Sequence, residues 1–347
     1  MFKVLVIATS RKTRGGITSV VKAHEKGEQW KNFRCKWIET HIDRGVIAKL
    51  GYIIKGWFQF IILLPFCKIV HIHMSEPPSA FRKCLFLPFA KLWGKKVIIH
   101  FHAFSTETTI NGKYRWVYQY LFGHADRVIV LSEYWKKAVT STFYLGNKVQ
   151  VIYNPCTAEV SSEKYTKKNH ILYAGTLNSR KGYSDMIRAF DKIAMKFPDW
   201  KIVFAGNGEI ELGKLLARKL GIEKQNVFLG WVNGDAKDKA FKEASIFCLP
   251  SYAEGFPMSV LDAWAYRLPV ITTPVGGISD IAKDGENLLL FNPGDVDVLA
   301  IQMDKMINDV FLRNAISKKS EELAATTFSL MTMNKEVGKL YNELLSL

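Results

Sequence analysis

The chain has only five cysteines in 347 residues, Cys35, Cys67, Cys84, Cys156 and Cys248, and no two of them stand at a metal-ligand spacing. An odd, scattered set excludes a disulfide framework and a zinc ribbon and fits a reducing compartment such as the cytoplasm. Acid is scarce in one half alone. Residues 1–165 hold 25 Lys and Arg against 10 Asp and Glu, whereas the remainder holds 23 against 22. The net charge of +16 therefore lies almost wholly in the first half, which must meet something anionic. Charge alone does not choose between nucleic acid and anionic lipid, but no nucleic-acid recognition motif is present. The sequence also lacks an internal repeat and a low-complexity tail. The apolar run after Met1 leads into Arg11 and Lys12, not a small-residue cleavage site, and reads as a buried strand instead of a signal peptide. The most apolar stretch, Leu50 to Phe66, is broken by Lys55, Gly56 and Gln59. It falls short of the ~20 apolar residues that span a bilayer, so a core or interfacial helix is expected there.

What is present is a regular alternation. Apolar runs of strand length at Phe2–Ala8, Lys68–Met74, Val97–His100, Arg127–Leu131, Lys201–Ala205, Asn226–Leu229, Ser245–Leu249 and Pro269–Thr272 are separated by stretches of helical character. Such alternation predicts α/β architecture with parallel sheets covered on both faces. The length suits two domains. Cys156 to Asn169 is polar and lysine-bearing and marks the linker.

The rest is organised around Ser251 to Ala265, a loop and helix between two buried strands. Pro257 suits the first helical position, where its missing N–H costs nothing. The amides of Met258, Ser259 and Val260 then lack intrahelical partners and are ready for an anion. Glu254 stands in the loop and Asp262 more than one turn into the helix, so two carboxylates flank the exposed amides. Phosphate on the amides and hydroxyl-rich groups on the acids would together describe a nucleotide sugar.

This segment resembles the Glu, seven residues, Glu signature of retaining glycosyltransferases of family four, usually written around Glu-Gly-Phe-Pro, with Asp262 in place of the second acid. The resemblance implies a GT-B fold: two Rossmann-like parallel-sheet domains facing across a cleft. Residues 1–160 would form the acceptor- and membrane-facing domain and 161–330 the nucleotide-sugar-binding domain, with a C-terminal helix over 331–347 packing back on the first. It further implies that Glu254 holds sugar hydroxyls and Asp262 the ribose, and that Lys181, before Gly182, binds the diphosphate. Members commonly carry arginine directly after the strand-ending glycine. Here Thr176 follows Gly175, and Arg180 is the alternative guanidinium.

Other positions join by the same resemblance. Gly15-Gly16, between the first strand and its helix, lets backbone approach donor phosphates or acceptor, though any tight turn uses such a pair. His102, past the end of the Val97–His100 strand, is a candidate to contact the reacting sugar or assist the acceptor, against a purely structural role. Asn207 lies in a close-approach loop, and Trp231 or its backbone stands where the base is held, with a core tryptophan as the alternative. No Asp-x-Asp cluster is present to carry a metal across a diphosphate, so neither metal nor cofactor is expected. The nucleotide sugar, UDP- or GDP-linked, is substrate. His71 and His73 share a strand face and could bind metal, but without an evident third ligand packing is favoured.

Ser79 to Lys96 interleaves Phe81, Phe86, Phe89, Leu92 and Trp93 with Arg82, Lys83, Lys91, Lys95 and Lys96. A basic, aromatic, amphipathic helix of this kind could rest in an anionic membrane surface. The implied activity is retaining sugar transfer to a lipid-linked glycan or oligosaccharide, peripheral on the inner face of the plasma membrane, in capsule, O-antigen or exopolysaccharide synthesis. A nucleotide-sugar epimerase of similar fold, or a non-catalytic membrane-bound binder of nucleotide sugar or glycan, would use the same residues.

Overall fold

The computed structural model describes residues 2–157 and 166–346. The expected linker and the 160/161 boundary fall largely on 158–165, outside the described residues. The chain divides into two compact units. One takes in the chain up to Thr157, with Glu254–Phe256 and the residues from Phe328 on; the other takes in the stretch up to Ala253 and Pro257–Thr327.

In the first unit, β1 (Val4–Ala8), β2 (Lys36–Glu39), β3 (Ile69–Met74), β4 (Lys96–Phe101), β5 (Arg127–Val130) and β6 (Val149–Val151) form one sheet in the order β2-β1-β3-β4-β5-β6. The second unit has β7 (His170–Ala174), β8 (Lys201–Ala205), β9 (Asn226–Gly230), β10 (Ile246–Leu249), β11 (Val270–Thr272) and β12 (Leu289–Leu290), in the order β12-β11-β10-β7-β8-β9. Every pairing in both sheets is parallel. Parallel strands need crossover connections, and the helices that supply them cover both faces, so central strands bury every residue; β1, β3 and β10 do so throughout.

Alternation along the first sheet sorts side chains into two cores. Leu5, Ile7, Val70 and Ile72 face one way, and Val4, Val6, Ile69 and Ile98 the other. The second core is closed by the helix Leu330–Ser346, which buries Met333, Val337, Leu340, Tyr341 and Leu344. Its Asn334 accepts a hydrogen bond from Gln29 Nε2 at 2.7 Å. Further along the first unit, Ser132 caps the helix Glu133–Phe143 by accepting from the Trp135 amide.

Two expectations for this unit are corrected. The Leu50–Phe66 stretch begins earlier: a helix over Val46–Leu63 continues as a 3-10 turn through Phe66. These 21 residues are long and apolar enough to cross a bilayer by length and composition, because a polar interruption at Lys55 and Gln59 does not break a helix. One face is nevertheless committed to the sheet edge. A Cβ on Gly56 would lie 2.7 Å from the Glu39 carbonyl oxygen, and Phe60 is fully buried, its ring 5.1 Å from that of Phe86.

The single helix expected over Ser79 to Lys96 is instead two, Pro77–Cys84 and Leu87–Leu92, with Lys96 already in β4. Pro88 is the cause: it has no N–H for the Cys84 carbonyl and forces a restart. Lys83, expected on a solvated basic face, is fully buried and donates to Thr40 Oγ1. Burial, with Arg82 adding repulsion, pushes its pKa well below that of a free lysine.

Candidate functional site

In an open parallel sheet the strand order reverses at one point, and the loops leaving the two strands there part to leave a crevice. In the second sheet the reversal lies between β7 and β10. Leaving β7, Asn178 caps the turn Ser179–Lys181 by accepting from the Lys181 amide at 3.0 Å. Gly182 follows with φ +65°, and a Cβ there would sit 2.0 Å from the Pro250 carbonyl oxygen at the end of β10. Only glycine permits so close an approach in that conformation.

The two loops are then tied together. The Tyr252 amide donates to the Arg180 carbonyl at 2.8 Å, Arg180 Nη1 donates to the Ala253 carbonyl at 2.6 Å, and Tyr252 Oη donates to Asp185 at 2.8 Å. Arg180, offered as a phosphate ligand, thus has one nitrogen engaged in bracing the loop before Glu254. The Lys181 stem runs over Gly175, its Cδ and Cε 3.7 Å from where a Cβ on that residue would be.

Helix Met258–Ala265 starts from the second of these loops. Pro257 is its N-cap, with ψ 113°, and not its first helical residue. The Val260 amide is not available to a ligand as expected: it donates to the Pro257 carbonyl at 3.1 Å, since the first turn tightens. Met258 and Ser259 keep amides that no preceding helical carbonyl can reach. Asp262, buried, accepts from Lys237 Nζ at 2.6 Å. Lys237 was not legible in the sequence, where it is an ordinary lysine of the helix Gly234–Glu243.

Asn207 and Trp231 are less central. Asn207 is exposed and uses its carbonyl to accept from the Leu177 amide at 2.7 Å, which fixes the two loops side by side. A Cβ on Gly206 would be 1.7 Å from the Gly175 carbonyl oxygen. Trp231 is exposed, beyond β9 and so two strands away from β7.

The first unit brings Glu254 to the end of β4. Gly255 lies so near that a Cβ would be 2.6 Å from the Ala103 carbonyl oxygen and 3.6 Å from that of His102. Asn154 Nδ2 holds the Phe256 carbonyl at 3.2 Å, and Glu254 is buried. His102 Nε2 is 3.0 Å from His73 Nδ1. Burial, with His24 nearby, lowers the pKa of His102 to about 3, so its imidazole is neutral near pH 7. Gly15, with φ +149°, is the N-cap of helix Gly16–Lys26 at the end of the loop leaving β1, a conformation glycine alone adopts readily.

His71 and His73 do not stand as an isolated pair. His100 on β4 lies directly opposite His73 in register, and one nitrogen from each of His71, His73 and His100 falls within 4.8 Å of the others. The third histidine was hidden because it comes from strand register and not from local spacing.

Two family models match the chain, one described as Glycosyl transferases group 1 over residues 157–323 and one as Glycosyltransferase Family 4 over residues 42–160. Over 192 residues the chain is 28% identical to a lipopolysaccharide 1,6-galactosyltransferase of Salmonella typhimurium, covering 53% of each protein. Over 238 residues it is 27% identical to the capsular polysaccharide biosynthesis glycosyltransferase CapM of Staphylococcus aureus, covering 64% of this chain and 62% of that one. The matched stretch thus spans little more than half to three fifths of these relatives' length. Among solved structures, Anabaena HepE in complex with UDP aligns over 99% of this chain and 100% of its own, with a TM-score of 0.78 and 14% identity, a likeness of fold.

Proposed function

This chain belongs to glycosyltransferase family four and has the GT-B fold, and on that premise we propose that it carries out retaining transfer of a sugar from a UDP- or GDP-linked donor to a hydroxyl of a lipid-linked glycan. The relatives named for lipopolysaccharide and capsule synthesis favour a bacterial cell-surface polysaccharide. The observation that carries the reading is the tying of the Asn178–Gly182 turn to Pro250–Ala253 at the strand reversal, which fixes Lys181 and the start of helix Met258–Ala265 on adjacent strand ends.

In the reaction, the bond from the anomeric carbon to the diphosphate breaks and a bond to the acceptor oxygen forms on the same face. Negative charge grows on the departing diphosphate. Lys181 and the Met258 and Ser259 amides stabilise that charge most where it is largest, which lowers the barrier. Glu254 holds sugar hydroxyls, and Asp262, oriented by Lys237, holds the ribose. A neutral His102 hydrogen-bonds the sugar or acceptor without taking the proton; the leaving phosphate takes it. No metal is required on the diphosphate, and transfer abolished by a chelator and restored by manganese would contradict this.

Thermal shift with UDP, GDP and their hexose conjugates tests the donor site directly, because a ligand of the folded state raises the melting temperature by mass action. Stabilisation by one nucleotide series, lost in Lys181→Ala, is expected; indifference to all of them defeats the reading. Anomer analysis of the product by NMR tests retention, and conversion of donor without acceptor would point to an epimerase.

The first unit is proposed to lie peripherally on an anionic cytoplasmic membrane surface. On the helix Val46–Leu63, Ile47, Leu50, Ile54, Phe58 and Ile62 are all more than half exposed and share one face at i, i+3/4 spacing. Trp57 packs on Phe89 at 5.7 Å, joining that face to exposed Leu92 and Trp93. A helix seated on the sheet edge through Gly56 and Phe60 offers one apolar side to lipid, as an interfacial helix does, and the surplus of cations in residues 1–165 supplies attraction to headgroups.

A further inference from the structure

Five of the chain's eight histidines, His24, His71, His73, His100 and His102, form one cluster in the first unit. Four of them come from the same face of β3, β4 and the residue after β4, where the preceding positions Ile69 and Ile98 are aliphatic core. Ring centroids are 4.5 Å apart for His71 and His73, 4.7 Å for His73 and His100, and 5.8 Å for His24 and His73. We propose that this cluster binds a single borderline transition-metal dication, zinc or a close neighbour, through the imidazoles of His71, His73 and His100, with His24 as fourth ligand.

The hydrogen bonding points the same way. A buried polar atom without a partner is costly, yet Nε2 of His24, His71 and His73 and both ring nitrogens of His100 are buried with no hydrogen-bond partner. Outward partners exist on the other side of two rings. His71 Nδ1 is 2.7 Å from Tyr341 Oη, and His73 Nδ1 is 3.0 Å from His102 Nε2. If each Nδ1 carries the proton and donates outward, each Nε2 presents its lone pair to the cluster. This is the arrangement in which a second partner orients a metal-bound histidine and fixes its tautomer.

Burial holds all four ligands below the ordinary histidine pKa, so neutral imidazoles face the ion, as ligation requires. The nitrogens of His71, His73 and His100, within 4.8 Å of one another, close by up to about 1.4 Å to meet zinc at about 2.1 Å in a tetrahedron, which χ rotations of the three rings, with a turn of His24 toward them, supply. Imidazole nitrogens without carboxylates select zinc, copper or nickel over magnesium, calcium or manganese. A buried water bridging the rings is the competing occupant.

The test uses the whole purified chain, stripped with a strong chelator and titrated with zinc chloride. Expected results are one zinc per chain retained through gel filtration, a melting temperature raised on the order of 5 °C, and visible cobalt bands of a four-coordinate nitrogen site on cobalt substitution. His73→Phe/His100→Phe should lose all three, while His124→Ala, which removes an exposed imidazole, should keep them. Unchanged melting of the stripped wild-type chain in excess zinc overturns the proposal without relying on any variant's folding, as does zinc retained by the double phenylalanine variant. The readouts are metal content, melting and spectrum, so they stand apart from whether nucleotide sugars bind the second unit.

Discussion

The two units follow one plan, six parallel strands sheathed by helices, and differ in what they put at the strand ends. In the second, polar loops leaving β7 and β10 converge on a lysine, a helix start and a carboxylate held by Lys237. In the first, imidazoles fill inward positions along β3 and β4, and an edge helix turns apolar side chains outward. Charge divides likewise, with 25 cations against 10 anions in residues 1–165 and 23 against 22 after them. A shared backbone plan thus leaves chemistry open, and the few residues at strand termini and on the outer face decide it. On the proposed reading, one unit holds an anionic ligand in a crevice and the other meets a surface.

The sharpest way to break that contrast is Lys181→Ala. If the second unit carries the diphosphate chemistry, kcat falls about a hundredfold, equivalent to about 3 kcal/mol of transition-state stabilisation. Far-UV circular dichroism and vesicle binding should not change. A variant with wild-type turnover would remove the division of labour between the units.

Glycines separate the units next. Gly182→Ala sets a side chain 2.0 Å from the Pro250 carbonyl oxygen at φ +65°. Overpacking and left-handed strain together should cost about 3 kcal/mol of stability, read by urea denaturation. Gly15→Ala in the first unit meets no atom within 4 Å and bears only the strain of φ +149°, so about 1–2 kcal/mol is expected. Equal losses would mean that the two loops are not built to different tolerances.

The outer face of the first unit is tested by Ile54→Asp/Phe58→Asp. Both side chains are a little over half exposed, at 56% and 57%, so folding should be spared. Partition onto phosphatidylglycerol vesicles should drop about tenfold or more by sedimentation, from lost apolar burial and added repulsion. Transfer to a short soluble acceptor should survive. Unaltered sedimentation would assign the apolar face to another partner.

Legibility in the sequence followed the same line. Among the described residues most of the strands were readable as apolar runs between breaks, because a buried parallel strand is largely apolar, whereas the edge strand β2, Lys36–Glu39, with a charge at each end, was not. In the second unit the turn at Lys181-Gly182 and the helix start after Pro257 were visible as consecutive residues whose spacing carries the local geometry, as was Glu254-Gly255-Phe256 of the first. Lys237 was not, since the bond to Asp262 joins separate helices. In the first unit the important neighbours come from register and packing. His100 meets His73 only because β3 and β4 pair as they do, and Gly255 meets Ala103 across a large sequence separation. The helix break at Pro88 was visible in the sequence, but the amphipathic pattern on either side concealed it.

Lys83 shows most directly how a surface pattern misleads, and it yields the smallest expected effect. Its place among Arg82, Lys91 and Lys95 suggests a solvated cation, yet it is fully buried beneath the helix Pro77–Cys84, with Thr40 Oγ1 as acceptor and the Phe86 ring 5.7 Å away. Its folded pKa lies well below 10.5, so over the window from 10.5 down to the lowered value the unfolded chain binds the extra proton and stability rises with pH. Lys83→Met keeps the stem volume and removes the charge, while Thr40 retains its bond to the Ala8 carbonyl at 2.9 Å. The variant should be more stable by about 1 kcal/mol near pH 7, an advantage that shrinks as pH approaches 10.5. A loss of stability near pH 7 instead would mean that the bond to Thr40 outweighs the desolvation of the ammonium. In that case the first unit would owe part of its stability to a buried cation and its oxygen acceptor.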